Sequence, residues 1–182
     1  MSKIRSLKPN VSQEEALRHF TSGLWNTTIG RLRGRVQSIA DVYIPYRLFE
    51  VTISNSGRRE SCIFALDAVH GALDLYRFSA EPSDAELLTL ETRNVLSPTQ
   101  PSSSEADKVI SKVRRHIFAK GFFKLRDVHF EANPIPGEVC IPYWVCFRGT
   151  NGRVNFSVLD AVRRQQEGAK VRQLIEEWLR SR

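Results

Sequence analysis

Hydrophobic and polar positions change period several times along the chain, and each change predicts a new element. Ser12 and Glu15 have the spacing of a capping box, which predicts that a helix begins there. Apolar residues then recur at the 3.6-residue period of an amphipathic helix, at Ala16, Leu17, Phe20 and Leu24. A second start signal, serines followed by acids at 102–107, precedes another such stripe, Val109, Ile110, Val113 and Ile117.

Strand-like sequence follows each predicted helix. Alternating or continuously apolar runs occupy residues 30–36, 46–53 and 62–66 after the first helix, and residues 124–126, 143–148 and 154–159 after the second. Polar turns separate the last two runs in each set, and Asn151-Gly152 is a strong hairpin signal. The pattern in each half of the chain therefore predicts one helix followed by three antiparallel strands.

Short motifs recur in the same order in both halves, which indicates an internal duplication. The matched pairs are Arg18-His19 with Arg115-His116, Ile44-Pro45-Tyr46 with Ile141-Pro142-Tyr143, and Leu66-Asp67-Ala68-Val69 with Leu159-Asp160-Ala161-Val162. We therefore expect an α+β protein of two tandem α-β-β-β repeats, each with an antiparallel sheet covered by a helix. The expected boundaries are 1–80 for the first repeat, 81–103 for a linker, and 104–182 for the second repeat with a C-terminal amphipathic helix.

The composition predicts the charge of the protein and its cellular location. The formal net charge is +7 and the pI is about 9.7, which favours attraction to polyanions without specifying one. No apolar run approaches the length of a membrane helix, and the first residues lack the apolar core of a secretory signal. Three cysteines with no zinc-like spacing are typical of free thiols in a reducing environment. We expect a bacterial cytoplasmic protein.

The predicted order of one helix followed by three strands, the last of which ends in Asp-Ala-x-x-Gly, resembles the PepSY family and its cystatin-like relatives over most of both halves. The resemblance lies in Tyr46–Ile53 as the middle strand and in Ile63–Leu66, which runs into Asp67-Ala68-Val69-His70-Gly71. In the second half the glycine of this motif is replaced by Arg164. The resemblance implies a non-catalytic module that binds or inhibits a partner, and PepSY modules are often found outside the cytoplasm or beside membrane segments.

Two sets of residues are candidates for binding. Alternation places Arg31, Arg33 and Arg35 on one strand face, and Lys124 and Arg126 occupy a similar place in the second half. Such stripes suit phosphate contacts, although the solvated face of a half-buried strand has the same pattern. Trp144 is a candidate aromatic contact for a partner, with packing in the core as the alternative.

No catalytic residue, metal ligand or cofactor is expected. Asp67 and Asp160 repeat at strand ends, where an aspartate commonly bonds the backbone of a turn. His19 and His116 each stand alone, without a second ligand at helical zinc spacing. The sequence thus favours a non-enzymatic module that binds a protein or peptide, then a nucleic-acid-binding protein that uses its basic strand faces, and third an enzyme of unfamiliar type. It does not indicate an oligomeric state.

Overall fold

A computed structural model of the chain describes residues 1–22, 35–55, 57–119, 128–150 and 153–182. Within these ranges there are seven strands and three helices. The strands are β1 Ser2–Leu7, β2 Arg35–Asn55, β3 Arg58–Asp67, β4 Tyr76–Phe78, β5 Leu87–Thr92, β6 His129–Thr150 and β7 Arg153–Asp160. The helices are α1 Gln13–Ser22, α2 Glu105–Ala119 and α3 Ala169–Arg180. The hairpin signal Asn151-Gly152 lies outside the described residues.

The strands form a mixed sheet, and the expected fold class is wrong. The strand order is β4-β3-β2-β6-β1-β5, with β7 paired to β6. The β2–β3, β3–β4 and β6–β7 pairs are antiparallel, whereas β1 runs parallel to β6. The described chain is therefore mainly β, and it contains no two tandem α-β-β-β repeats with separate sheets. The physical reason is strand length, because β2 and β6 span 21 and 22 residues, too long for a repeat of short strands.

The chain divides into two compact units that are both discontinuous in sequence. Unit 1 comprises residues 1–44, 88–96 and 140–182, and unit 2 comprises residues 45–87 and 97–139. Strands β2 and β6 contribute one part to each unit. The segment expected to be a linker, 81–103, contains β5 and residues of both units.

Each unit combines a helix from one half of the chain with a hairpin from the other half. In unit 2, helix α2 packs on the β2–β3 hairpin, and the buried core is Phe49, Val51, Phe64, Leu66, Val109, Val113 and Phe130. In unit 1, α1 packs on the β6–β7 hairpin, and the buried core is Val11, Ala16, Phe20, Cys146 and Leu159. Because each helix packs on strands that are distant in sequence, neither half of the chain forms a helix–sheet layer by itself.

The two hairpins have the same register and end in similar turns. Tyr46 is opposite Asp67, and Tyr143 is opposite Asp160. Asp67 accepts hydrogen bonds from three backbone N–H groups, at His70 and Gly71 (both 2.9 Å) and at Leu73 (2.8 Å). Asp160 Oδ1 accepts hydrogen bonds from the backbone N–H groups of Val162 and Arg163, both at 2.7 Å. The prediction that these aspartates stabilise turns is therefore confirmed.

The departure from the motif at Arg164 leaves its turn intact. Gly71 has φ of 66° and Arg164 has φ of 60°, so both adopt the left-handed conformation that glycine adopts most easily. Arg164 N–H donates to the Asp160 carbonyl oxygen at 3.0 Å, as Gly71 N–H does to Asp67 at 3.2 Å. The surrounding hydrogen bonds thus fix the turn without a glycine.

The predicted capping box of α1 is confirmed. Ser12 N–H donates to the Glu15 carboxylate at 2.8 Å, and Glu15 N–H donates to the Ser12 hydroxyl at 3.2 Å. These two hydrogen bonds, the backbone one first, hold the pKa of the Glu15 carboxyl below its ordinary value, with smaller contributions from the charges of Arg164 and Arg18.

Candidate functional site

The structure describes few of the predicted basic contacts. Arg31, Arg33, Lys124 and Arg126 lie outside the described residues. Arg35 begins β2, but only its backbone is described. The proposed contact of these residues with phosphates therefore stays a prediction.

Trp144 lies on β6 in unit 1 and is half-buried. Its ring packs against the core of unit 1, and its indole Nε1–H donates to the Val11 carbonyl oxygen at 2.8 Å. Val11 immediately precedes the capping box of α1, so this bond fastens the beginning of the helix to the hairpin beneath it. A role for Trp144 in binding a partner stays a prediction.

A buried arginine occupies the matching position in unit 2. Arg47 aligns with Trp144, and each is opposite a leucine on the neighbouring strand, Leu66 or Leu159. Arg47 is only 8% exposed, so its charge needs close partners. NH1 donates to Glu105 Oε1 at 2.5 Å, Nε donates to Glu138 Oε1 at 3.1 Å, and NH2 donates to the Thr99 carbonyl oxygen.

Arg47 joins three segments of unit 2. Glu105 is the first residue of α2, Glu138 lies on β6, and Thr99 lies in the chain that leads into α2. The position of Glu105 is favourable for a second reason, because a carboxylate in the first turn of a helix interacts well with the helix dipole. Arg47 thus fastens the beginning of α2 to its hairpin, as Trp144 does for α1, but with charges.

These three segments also form a groove with a cavity volume of about 560 Å³. Its walls are mostly apolar, and three of its residues are prolines. The lining residues all belong to unit 2: Arg47, Leu48, Phe49, Pro101, Ser102, Ser103, Glu105, Ala106, Pro134, Ile135, Pro136, Gly137 and Glu138. The volume falls within the range of ligand pockets, and the groove is open to solvent on one side.

Among the charged groups of the groove, negative charge is in excess. One guanidinium faces two carboxylates, those of Glu105 and Glu138. The Glu105 side chain is 12% exposed, whereas that of Glu138 is 35% exposed. Both contacts between Arg47 and Glu138 fall on Oε1, and a carboxylate has about four lone-pair sites. Glu138 is therefore an accessible carboxylate with acceptor capacity toward the groove.

Sequence reasoning missed this groove. Arg47 stands inside an otherwise apolar run, residues 46–49, all four of which are buried. A cation within such a run signals a buried ion pair, but the pattern does not say which acids are its partners. Glu105 and Glu138 follow Arg47 by 58 and 91 residues, so only the tertiary structure brings them together.

Comparison of the chain with protein-family models, with curated proteins and with solved structures finds no match. None of the helices in the described ranges has the length and apolar character that crossing a bilayer requires.

The two units differ in charge. The residue ranges of unit 1 contain 16 basic and 8 acidic residues, whereas those of unit 2 contain 11 basic and 12 acidic residues. The net charge of +7 is thus a property of unit 1, and the groove belongs to the unit without excess positive charge.

Proposed function

We propose that this protein is a non-enzymatic binding module that takes a short peptide segment of a partner protein into the groove of unit 2. The observation that carries the proposal is the groove itself, which combines apolar walls with a few polar groups held in place by one another. The resemblance of the Tyr46–Gly71 hairpin to PepSY modules supports the same kind of function.

Two prolines in one wall favour recognition through side chains. Pro134 and Pro136 lie in β6 and have no backbone N–H to donate. A strand of a partner that added to β6 here would lack backbone N–H donors at these two positions, which disfavours continuous β-pairing. The apolar side chains of the groove are the surface that remains for contact with a peptide.

The test is to block the groove from an exposed position. Ser103 lines the groove and is exposed, so Ser103→Trp fills its mouth without opening a cavity in the core. Ser111→Trp is the matched control, because Ser111 is also exposed but lies on α2 away from the lining. Pools of short peptides with randomised sequence are titrated against both variants, with fluorescence anisotropy as the readout. We expect Ser103→Trp to weaken the best-binding pool at least about tenfold and Ser111→Trp to leave it unchanged; equal binding to both variants overturns the proposal.

A cytoplasmic location is part of the proposal. Cys62, Cys140 and Cys146 are thiols that form no disulfide within the described residues, and unoxidised cysteines suit a reducing compartment. Cell fractionation tests this location, because a cytoplasmic protein should be recovered with the cytoplasmic fraction. Recovery in another fraction would contradict it.

The charge of unit 1 favours nucleic-acid binding as a second candidate function. Arg31, Arg33 and Arg35 belong to the residue range of the basic unit, whereas Lys124 and Arg126 belong to unit 2. If Arg31, Arg33 and Arg35 contact phosphates, changing all three to alanine should reduce the slope of log binding constant against log salt concentration by about 2 in magnitude for an oligonucleotide. Changing Lys124 and Arg126 to alanine is the comparison, and we expect a smaller effect. No binding at low salt removes this candidate, and an enzyme of unfamiliar type stays the third hypothesis.

A further inference from the structure

We infer that the peptide taken by the unit 2 groove carries a lysine or arginine side chain next to apolar residues, and that Glu138 is the acceptor of its charge. This inference rests on the proposed function and specifies the chemistry of the ligand. It follows from the contacts of Arg47, from the exposure of Glu138 and from the charge of unit 2.

Arg47 is poorly placed to bind an anionic ligand. It is 8% exposed, and each of its three side-chain nitrogens already donates to a group of unit 2. A ligand carboxylate at the guanidinium would either meet the like charges of Glu105 and Glu138 or displace one of them and leave that glutamate without its partner. Removing one member of a buried pair is unfavourable, so the groove discriminates against acidic peptides.

Glu138 is well placed to bind a cation. Its side chain is 35% exposed, about three times as much as that of Glu105, and it lies in the groove lining beside Gly137. Gly137 has φ of 96°, and no atom lies within 4 Å of the position that its Cβ would occupy, so the backbone next to Glu138 is open. Arg47 carries one positive charge, and Glu105 and Glu138 together carry two negative charges. A ligand cation at Glu138 would therefore neutralise the remaining negative charge.

The apolar walls specify the rest of the peptide. Ile135 is half-buried and offers branched apolar surface, and the exposed residues Pro101, Pro134 and Pro136 offer rigid surface. Lysine and arginine have long apolar stems that pack along such surfaces while the charged end reaches an acceptor. Unit 2 carries 11 basic and 12 acidic residues, so it does not repel a cationic peptide as unit 1 does.

The experiment uses three pools of short peptides with blocked ends. The pools share randomised apolar neighbours and differ at one fixed central residue, which is lysine, glutamine or glutamate. Anisotropy titrations with the full chain measure the Kd of each pool at low and at high salt. We expect the lysine pool to bind about tenfold more tightly than the glutamine pool, the gain of a charge-assisted hydrogen bond, and the glutamate pool to bind most weakly. The preference should decrease as salt is added.

Glu138→Gln tests the acceptor, with Glu131→Gln as the matched control. Both residues lie on β6, but Glu131 is exposed, lies outside the groove and contacts Arg59 at 3.8 Å. We expect Glu138→Gln to abolish the preference for lysine over glutamine and Glu131→Gln to preserve it. If Glu138→Gln does not fold, the comparison of a lysine pool with a norleucine pool on the unchanged protein decides whether the groove recognises a cationic side chain, and equal binding of the two pools overturns the inference.

The outcomes separate this inference from the proposed function. If all pools bind equally and Ser103→Trp weakens all of them, the groove binds peptides but the assignment of a cationic residue is overturned. Tighter binding of the glutamate pool also overturns it and assigns the ligand charge to Arg47. If no pool binds at protein concentrations up to about 1 mM, the proposed function fails as well.

Discussion

At two matching positions the units use different chemistry for the same task. In unit 1, Trp144 holds the beginning of α1 with one neutral hydrogen bond, and the indole is half-buried. In unit 2, Arg47 holds the beginning of α2 with a buried guanidinium that requires Glu105 and Glu138 as counter-ions. The neutral anchor needs a single acceptor, whereas the charged anchor introduces two acids. The difference explains why accessible negative charge accompanies the groove of unit 2.

The largest expected effect comes from removing the charged anchor. Arg47→Met leaves Glu105 and Glu138 without their shared cation in a poorly solvated site. Removal of one partner of a buried pair typically costs about 3–5 kcal/mol. Because Glu138 is partly exposed, we expect the free energy of unfolding to fall by about 3 kcal/mol, measured by urea denaturation. The triple variant with Glu105→Gln and Glu138→Gln should recover most of the loss; no recovery would show that packing, and not charge, dominates.

The neutral anchor should matter less. Trp144→Phe keeps an aromatic ring but removes the N–H that donates to the Val11 carbonyl oxygen at 2.8 Å. Val11 is 5% exposed, so its carbonyl gains little water in exchange. We expect the free energy of unfolding to fall by about 1.5 kcal/mol, again in urea. A loss as large as that of Arg47→Met would remove the distinction between the two anchors.

The turns that follow the two hairpins differ in the residue that adopts positive φ, Gly71 in unit 2 and Arg164 in unit 1. Gly71 has φ of 66°, and the nearest atom to an added Cβ, Lys108 Cδ, lies at an ordinary 3.5 Å. Gly71→Ala therefore introduces backbone strain without a clash, and we expect a loss of about 1 kcal/mol. Arg164→Gly relieves the same strain in unit 1 but removes the 2.6 Å hydrogen bond from Arg164 to the Asn10 carbonyl oxygen. We expect these contributions to nearly cancel, leaving thermal stability within about 0.5 kcal/mol of the original; equal losses in both variants would contradict this account.

The smallest effect concerns the capping box of α1 and depends on pH. The pKa of Glu15 is lowered in the folded protein, so its contribution is present above the pKa of the unfolded chain and is lost as pH falls through the lower folded pKa. Glu15→Gln should therefore reduce thermal stability slightly at neutral pH and have no effect in strong acid. Glu14→Gln, at the neighbouring exposed position, is the control. A difference between Glu15→Gln and the original that is independent of pH would contradict the role of the charge.

The sequence predicted local features well and long-range ones poorly. The capping box at Ser12 and Glu15 and the aspartate turn at Asp67 involve groups within six residues of each other, so local spacing contains the information. The apolar stripe of α2 shows that one face is buried, but it does not show that β2–β3, rather than the following hairpin, covers it. β1 was missed, because Ser2–Leu7 has no adjacent strand in the sequence and pairs with β6, 134 residues away at Ser6.

The candidate site was unpredictable for the same reason. Its acids come from the first turn of α2 and from β6, and no periodic pattern links either of them to Arg47. The expectation of tandem repeats, which is wrong, rests on features that both halves share. The groove depends instead on a position where the halves differ, because the first half has Arg47 where the second half has Trp144.

Methyl NOE spectroscopy measures directly whether each helix packs on the hairpin of the opposite half of the chain. We predict cross-peaks of Val113 on α2 with Val51 and Leu66, and of Ala16 on α1 with Leu159. Cross-peaks of Ala16 with Leu66, and of Val113 with Leu159, would mean that each helix covers its own hairpin, and the account would be contradicted.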